Sequence, residues 1–247
     1  MRKCSIEIIV KCFSYTSSLE VWQALQPMHD ALAGKAITNE FTGKSITAKQ
    51  IQSSLKGIVK NNFSFKVDDG RLYYNNPGNN KDKCGIITIR DIADTPEEAE
   101  LWISRFLLDD RFIQARIFDN QYDFWQNQIN IRVYENEGVS YSHLPTVHNG
   151  ASPPLGKIII DISNNLGRSL LRNNYMESIG SCMWLGESFW QATGVNKENI
   201  LTSDNFKIET HGDIIKVIAQ GSLFTESEGE QGGRQRTLRE LLFQSEI

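Results

Sequence analysis

Few residues in this chain have both the type and the spacing that chemistry needs. His143 and His148 stand five positions apart in one polar stretch. Metal sites on loops can use such spacing, but no third ligand lies near them in sequence. The other two histidines, His29 and His211, are isolated, and His211 opens a turn signal with Gly212 and Asp213. Cys182 with a distant histidine would supply the elements of a thiol hydrolase. Its neighbours Ile179, Met183 and Trp184 are apolar, a setting that raises a thiol pKa and leaves it inert. Gly186-Glu-Ser188-Phe-Trp190 begins like the nucleophile elbow of a serine hydrolase, then has Trp where a second Gly is required. Gly229 to Gly233 is not preceded by a suitable strand and is not followed by Lys-Ser/Thr, so it does not read as a phosphate loop. The acid pairs Glu97/Glu98 and Asp109/Asp110 fall at a helix start and a turn, where carboxylates are common for local reasons. Asp161 is the unusual acid, because it interrupts an apolar run. It reads either as a buried, hydrogen-bonded carboxyl or as the one residue of that run facing outward. The expectation is therefore no catalytic site, no cofactor and no metal.

The elements that would have to position any site are better marked. The stretch from Gly156 to Gly194 organises the chain. Gly156-Lys-Ile-Ile-Ile-Asp-Ile162 is dense in β-branched residues and bounded by Pro153, Pro154 and Asn164, which predicts a buried strand. Cys182 to Trp190 places two of the five Trp within seven positions, with Met183, Leu185 and Phe189, and reads as the floor of the core. Residues 5–13 alternate as a strand. Ser17 or Ser18 caps a helix with the stripe Leu19, Trp22, Leu25, Met28 and Leu32, kinked or divided at Pro27. Thr47 to Gln50 fits a capping box before Ile51, Leu55, Ile58 and Val59, with Asn61 and Asn62 as the stop. Phe63–Val67 and Arg71–Tyr74 read as strands about Asp68-Asp69-Gly70, and Cys84–Arg90 as another. Thr95-Pro96-Glu97-Glu98 opens the best-marked helix. Strands follow at Phe112–Phe118 and at Ile129–Tyr134, where Ile129, Ile131 and Val133 alternate with polar residues. Asn136 to Leu155 is a long loop without periodicity, of the kind that is often functional. Lys197–Ile200 reads as a short helix, and Phe206–Thr210 with Ile214–Ala219 as a hairpin. Glu226–Gly233 reads as exposed, and Arg234–Ile247 as a solvated amphipathic helix with Leu238, Leu241 and Leu242 on one side and Arg234, Arg236 and Arg239 spread over the rest.

The mixture lacks a βαβ rhythm, which predicts an α+β fold with a mainly antiparallel sheet and packed helices. The capped helix restarts the pattern near residues 91–95. Two subdomains, 1–92 and 93–247, and one continuous domain both fit.

Composition bounds the partners. The 247 residues carry 26 Lys and Arg against 30 Asp and Glu, a net charge of −4. A chain that neutralised phosphates would usually be basic, so nucleic acid is not the expected partner. Four scattered Cys make no Cys-x-x-Cys pair and read as buried free thiols. Glu7 and Lys11 break the apolar run at the start, and no run is long enough to span a bilayer. A soluble cytoplasmic protein is expected.

Gly156-Lys-Ile-Ile-Ile-Asp-Ile162, Met183-Trp-Leu-Gly-Glu-Ser-Phe-Trp190 and the terminal Leu238-Arg-Glu-Leu-Leu-Phe243 together resemble bacterial immunity proteins of toxin conflict systems, the immunity protein 52 family in particular. The opening strand, Trp22 on a helix and the Gly43-Lys-Ser-Ile-Thr47 segment are similar in outline, with Phe41 where that family tends to place a Trp. The resemblance implies a non-enzymatic cytoplasmic inhibitor that binds a cognate protein toxin. Binding residues would then come from aromatic and charged side chains on the long loop: Glu135, Glu137, Tyr141, His143 and His148. Two other classes compete. One is an enzyme whose site is assembled from distant residues such as Asp161, His143 and Cys182. The other is a structural subunit of a secretion or phage-related assembly.

Overall fold

The computed structural model describes residues 3–11, 17–25, 30–56, 62–76 and 84–243. Cys12, Pro27, Met28, His29, Ile58, Val59 and Asn61, all used in the sequence reading, lie outside them. In chain order the elements are β1 (Cys4–Val10), α1 (Ser18–Ala24), β2 (Ile37–Asn39), β3 (Lys44–Ile46), α2 (Ala48–Leu55), β4 (Asn62–Val67), β5 (Gly70–Asn75), β6 (Gly85–Ala93), α3 (Pro96–Ser104), β7 (Phe112–Phe118), α4 (Asn120–Gln126) and α5 (Ile131–Asn136). Then follow β8 (Thr146–His148), β9 (Ile158–Ile160), β10 (Leu170–Arg172), β11 (Tyr175–Glu177), β12 (Cys182–Leu185), α6 (Glu187–Thr193), α7 (Glu198–Leu201), β13 (Lys207–His211), β14 (Ile214–Ile218) and α8 (Gly229–Leu242).

Ten strands form one sheet in the order β13-β14-β12-β7-β1-β6-β5-β4-β2-β3. Every pairing in it is antiparallel, so the fold is α+β as its patterning predicts. The sheet runs unbroken across residues 91–95: β1 lies between β6 and β7. Alternation along the strands feeds two cores. Ile6, Ile8, Ile89 and Trp184 face one way, onto Trp22, Ile51 and Trp102 of α1, α2 and α3. Ile9, Met183, Leu185 and Val217 face the other, onto Phe189 and Trp190 of α6 and Leu238 and Leu242 of α8. Both faces of the central strands are thus buried, which is why β1 and β7 carry apolar residues at consecutive positions. Cys182–Trp190 is core as expected, but its two Trp serve opposite faces.

The helix signals have their predicted causes. Thr95 Oγ1 accepts from the Glu98 amide, and Thr47 with Gln50 forms a capping box. The first helical stripe is divided about Pro27, as one of its two readings has it: α1 stops at Ala24, and a separate 3-10 turn spans Asp30–Leu32. Several expectations fail locally. Asn62 opens β4 rather than ending a helix. Ile129–Tyr134 is not a strand: the Asn130 side chain accepts from the Arg132 amide and starts α5. The run around Ile158 to Ile160 is not a buried strand of the main sheet. It pairs only with β8, in a small two-stranded ribbon, and Ile158 is 54% exposed. The loop 136–155 accordingly contains strand β8. The glycines at 229–233 begin the last helix, where Gly232 packs against the Ser227 carbonyl.

Arg239 is the largest departure. It is buried rather than solvated, because Glu177 of β11 and the Leu166 and Arg168 carbonyls close over it. Its Nη2 lies 2.5 Å from Glu177 Oε1, and Glu177 Oε2 also accepts from Arg172 Nε at 2.8 Å. Burial alone would raise the Glu177 carboxyl, but the hydrogen bond from Arg172 and the charge of Arg239 hold it below the usual carboxylate range. A depressed carboxylate pKa adds stability that is complete above the unfolded pKa and is lost as pH falls through the folded one. Glu177→Gln should therefore destabilise the protein at pH 7. The gap to the unaltered chain should close below about pH 4 in urea titrations. A gap that stays constant across that range would exclude the linkage.

Candidate functional site

Between β7 and its neighbour β12 the chain leaves the sheet for residues 119–181 and returns beside its starting point. Cys182 pairs with Ile117, and the Ser181 amide donates to the Ile117 carbonyl at 3.0 Å. This excursion holds α4, α5, both small two-stranded sheets and all five residues expected at a binding site.

Its seat is charged and buried. Arg116 of β7 is 3% exposed. Its Nε donates to Glu7 Oε1 of β1 at 2.8 Å, and its Nη1 lies 2.9 Å from Asp123 Oδ1 of α4 and donates to the Ile179 carbonyl at 3.1 Å. The guanidinium also lies over the Phe118 ring, 4.3 Å from its centroid. One side chain thereby fastens both ends of the excursion to the sheet. Asp119 caps α4 by accepting from the Tyr122 amide at 2.7 Å. Gln126 and Asn127 then bond the returning chain at Asn165, Gly167 and Ser169. The surface so formed is fixed by side-chain-to-backbone hydrogen bonds and by the buried Met176 and Ile179.

That surface combines aromatic and aliphatic groups. Phe124, Trp125, Tyr134 and Tyr141 make a continuous row, with ring centroids 5.0, 4.9 and 6.0 Å apart in turn; Phe124 is exposed, Trp125 and Tyr141 are half-buried, and Tyr134 is buried beneath them. Beside it Ile129, Val139, Val147, Leu155 and Ile158 are exposed, Leu155 to 74%. Charges surround them: Glu135 and Glu137 are exposed at the end of α5. The Tyr141 hydroxyl donates to Glu135 Oε1 at 2.9 Å, and that acceptor raises the phenol pKa by favouring its protonated form.

Of the five expected residues, Glu135 and Tyr141 touch directly. His148 lies on β8, where its Nδ1 accepts from the Gly150 amide at 3.1 Å and shapes the ribbon turn. His143 is exposed in the turn between α5 and β8. The sequence reading missed Phe124, Trp125, Val147, Leu155 and Ile158. Tyr122-Asp-Phe-Trp125 was visible as an aromatic run, but its place beside Tyr134 depends on the helical course of 131–136.

The chemically suggestive residues are dispersed. Cys182 sits in β12, and burial pushes its thiol up to about 12; Cys4 is likewise pushed up to about 11. Cys4 and Cys182 are buried free thiols, and Cys84 is also buried. Asp161 turns outward: its Oδ1 accepts from the Ser163 amide at 2.9 Å, which holds the carboxyl below its usual range. Ser188 lies in the first turn of α6. Among the described residues no group of three His, Cys, Asp or Glu is placed to hold a metal ion. No described helix is long and apolar enough to cross a membrane.

Neither a family model nor a curated protein matches the chain, so the resemblance to immunity protein 52 gains no support there. Among solved structures the chain is similar to the Pseudomonas aeruginosa T6SS protein PA0821. The TM-score is 0.53 at 7% identity, over 98% of this chain and 73% of that one. At that identity the likeness is one of fold.

Proposed function

We propose that this chain is an immunity protein, which binds a cognate secreted bacterial toxin in the cytoplasm and neutralises it by occlusion, without turnover. One observation carries the reading: in the excursion 119–181 Phe124 is exposed and Trp125 and Tyr141 are half-buried around the buried Tyr134 ring, on the same segment as exposed aliphatic side chains and the exposed acids Glu135 and Glu137. Interfaces place aromatic anchors centrally and charges at the rim in this way. Exposed apolar surface of this extent on a folded chain marks a recognition surface. The fold of a type VI secretion protein is in keeping with a secretion-associated role. Glu135, Glu137, Tyr141, His143 and His148 then contribute to the toxin interface.

Affinity purification of the tagged chain from its own host, with mass spectrometry, tests this. The expected result is one stoichiometric partner that arrests growth when expressed alone and is harmless when this chain is co-expressed. Recovery of a monodisperse chain without a partner, or of a partner that is harmless alone, would overturn it. Assembly of the chain with itself would favour the structural-subunit class instead.

A further inference from the structure

The turn that joins β8 to β9 places the parts of a bond-forming reaction on successive residues, His148, Asn149 and Gly150. Asn149 is the one asparagine of the chain that is followed by glycine. Glycine has no Cβ, so it leaves its amide nitrogen unhindered. Gly150 is exposed, and nothing lies within 4 Å of the position a Cβ would take there. The Gly150 amide donates to His148 Nδ1 at 3.1 Å. Nδ1 is therefore the unprotonated ring nitrogen and stands ready to take that proton. Gly156 packs against the far edge of the same ring, where an added Cβ would stand 3.0 Å from Nε2. The Asn149 side chain is polarised in turn. Its Oδ1 accepts from the Lys157 amide at 3.1 Å and from the Ala151 amide at 3.2 Å, and its Nδ2 donates to the Leu155 carbonyl at 3.1 Å. Two amide donors on one carbonyl oxygen favour negative charge there, as an oxyanion hole does.

We infer that Asn149 is a self-modification site, at which the Gly150 nitrogen attacks Asn149 Cγ with His148 as the general base. The Gly150 amide proton passes to His148 Nδ1 as the bond from nitrogen to Cγ forms. The Lys157 and Ala151 amides hold the oxyanion at Oδ1. Collapse of that intermediate breaks the bond from Cγ to Nδ2. The imidazolium gives its proton to the leaving nitrogen, which departs as ammonia, and a cyclic imide remains. Water then opens the imide at either carbonyl. Breaking the bond to Cγ leaves aspartate. Breaking the bond to the backbone carbonyl leaves isoaspartate, with the main chain running through Cβ. Aspartate puts a carboxylate where Nδ2 now donates to the Leu155 carbonyl. Isoaspartate lengthens the main chain by a carbon beside the pairing of His148 with Ile158. Both products change the ribbon that carries exposed Val147 and Ile158. The reaction needs no partner, so the site stands apart from the immunity reading.

The test incubates the full chain at neutral pH and physiological temperature and follows every asparagine by peptide mapping with mass spectrometry. Asn149 should convert first, to a mixture of aspartate and isoaspartate. His148→Ala should slow that conversion at least ~10-fold, the loss expected for a general base. His148→Gln should slow it equally, because an amide oxygen can accept from the Gly150 amide but cannot take its proton. His148 is exposed, so neither variant removes core packing. No conversion at Asn149, or conversion at an unchanged rate in His148→Ala, would overturn the site. A rate kept in His148→Gln and lost in His148→Ala would also overturn it, since the hydrogen bond would then serve only to shape the turn.

Discussion

Arg116→Met should lower the unfolding free energy by about 3–5 kcal/mol, read from urea or guanidinium denaturation at neutral pH. The methionine replaces most of the aliphatic volume, so cavity formation is a minor part of the effect. What remains is charge. Glu7 and Asp123 would lose the cation that each now meets at 2.8 and 2.9 Å, and the Ile179 carbonyl would lose a donor. A carboxylate stranded without its partner in a buried site is far more costly than the intact pair is favourable. The triple variant Glu7→Gln/Arg116→Met/Asp123→Asn should therefore regain a large part of the loss, because it removes the charges together. A triple variant no better than Arg116→Met would show that packing around Arg116, not charge, holds the site. The same substitution should also weaken toxin binding in chains that remain folded, since Arg116 seats α4 and Ile179 at the two ends of the excursion.

The second large effect concerns affinity and leaves stability alone. Changing Glu135, Glu137, Tyr141, His143 and His148 together to Ala should weaken the toxin complex at least ~100-fold, by calorimetry or biolayer interferometry. The melting temperature should stay within a few degrees, because four of the five are exposed and half-buried Tyr141 hydrogen-bonds, among the described residues, to exposed Glu135. Unchanged affinity would exclude the 135–148 segment as the energetic centre. Val147→Asp/Ile158→Asp then decides whether the ribbon takes that role: both side chains lie outside the core, at 45% and 54% exposure. A charge placed there blocks an apolar contact without stranding a buried partner.

The parts of this architecture that were legible in sequence are those set by local rules. Thr95-Pro96 and Thr47-x-x-Gln50 satisfy their own helix ends, and Asp68-Asp69-Gly70 closes its own hairpin, so short stretches sufficed. Misreadings arose where distant contacts decide. Ile129, Ile131 and Val133 alternate like a strand, yet Asn130 supplies a cap that starts α5. Three consecutive isoleucines at 158–160 satisfy the composition of a buried strand, but only Ile160 reaches the interior. Arg239 looked solvated because its helix alone gives it no partner. Glu177, sixty-two positions earlier, and the carbonyls of Leu166 and Arg168 supply one. The binding surface was half legible: its charged members follow from the loop, its aromatic row only from the packing of α4 against α5.

The placement of the excursion between two hydrogen-bonded neighbours bears on how such a protein can diversify. The register of β7 and β12 is set by the sheet and by both cores, to which the excursion itself adds only a few residues such as Met176 and Ile179 near its end. Closing a connection between fixed, adjacent ends costs only logarithmically more as it lengthens. Lineages can therefore exchange, extend or recombine the whole recognition surface as a cassette, subject to keeping a carboxylate for Arg116 near its start and a free carbonyl near its end. Sequence divergence would then concentrate in residues 119–181 while the strands drift slowly. On the immunity reading proposed above, two relatives could share a scaffold yet protect against unrelated toxins.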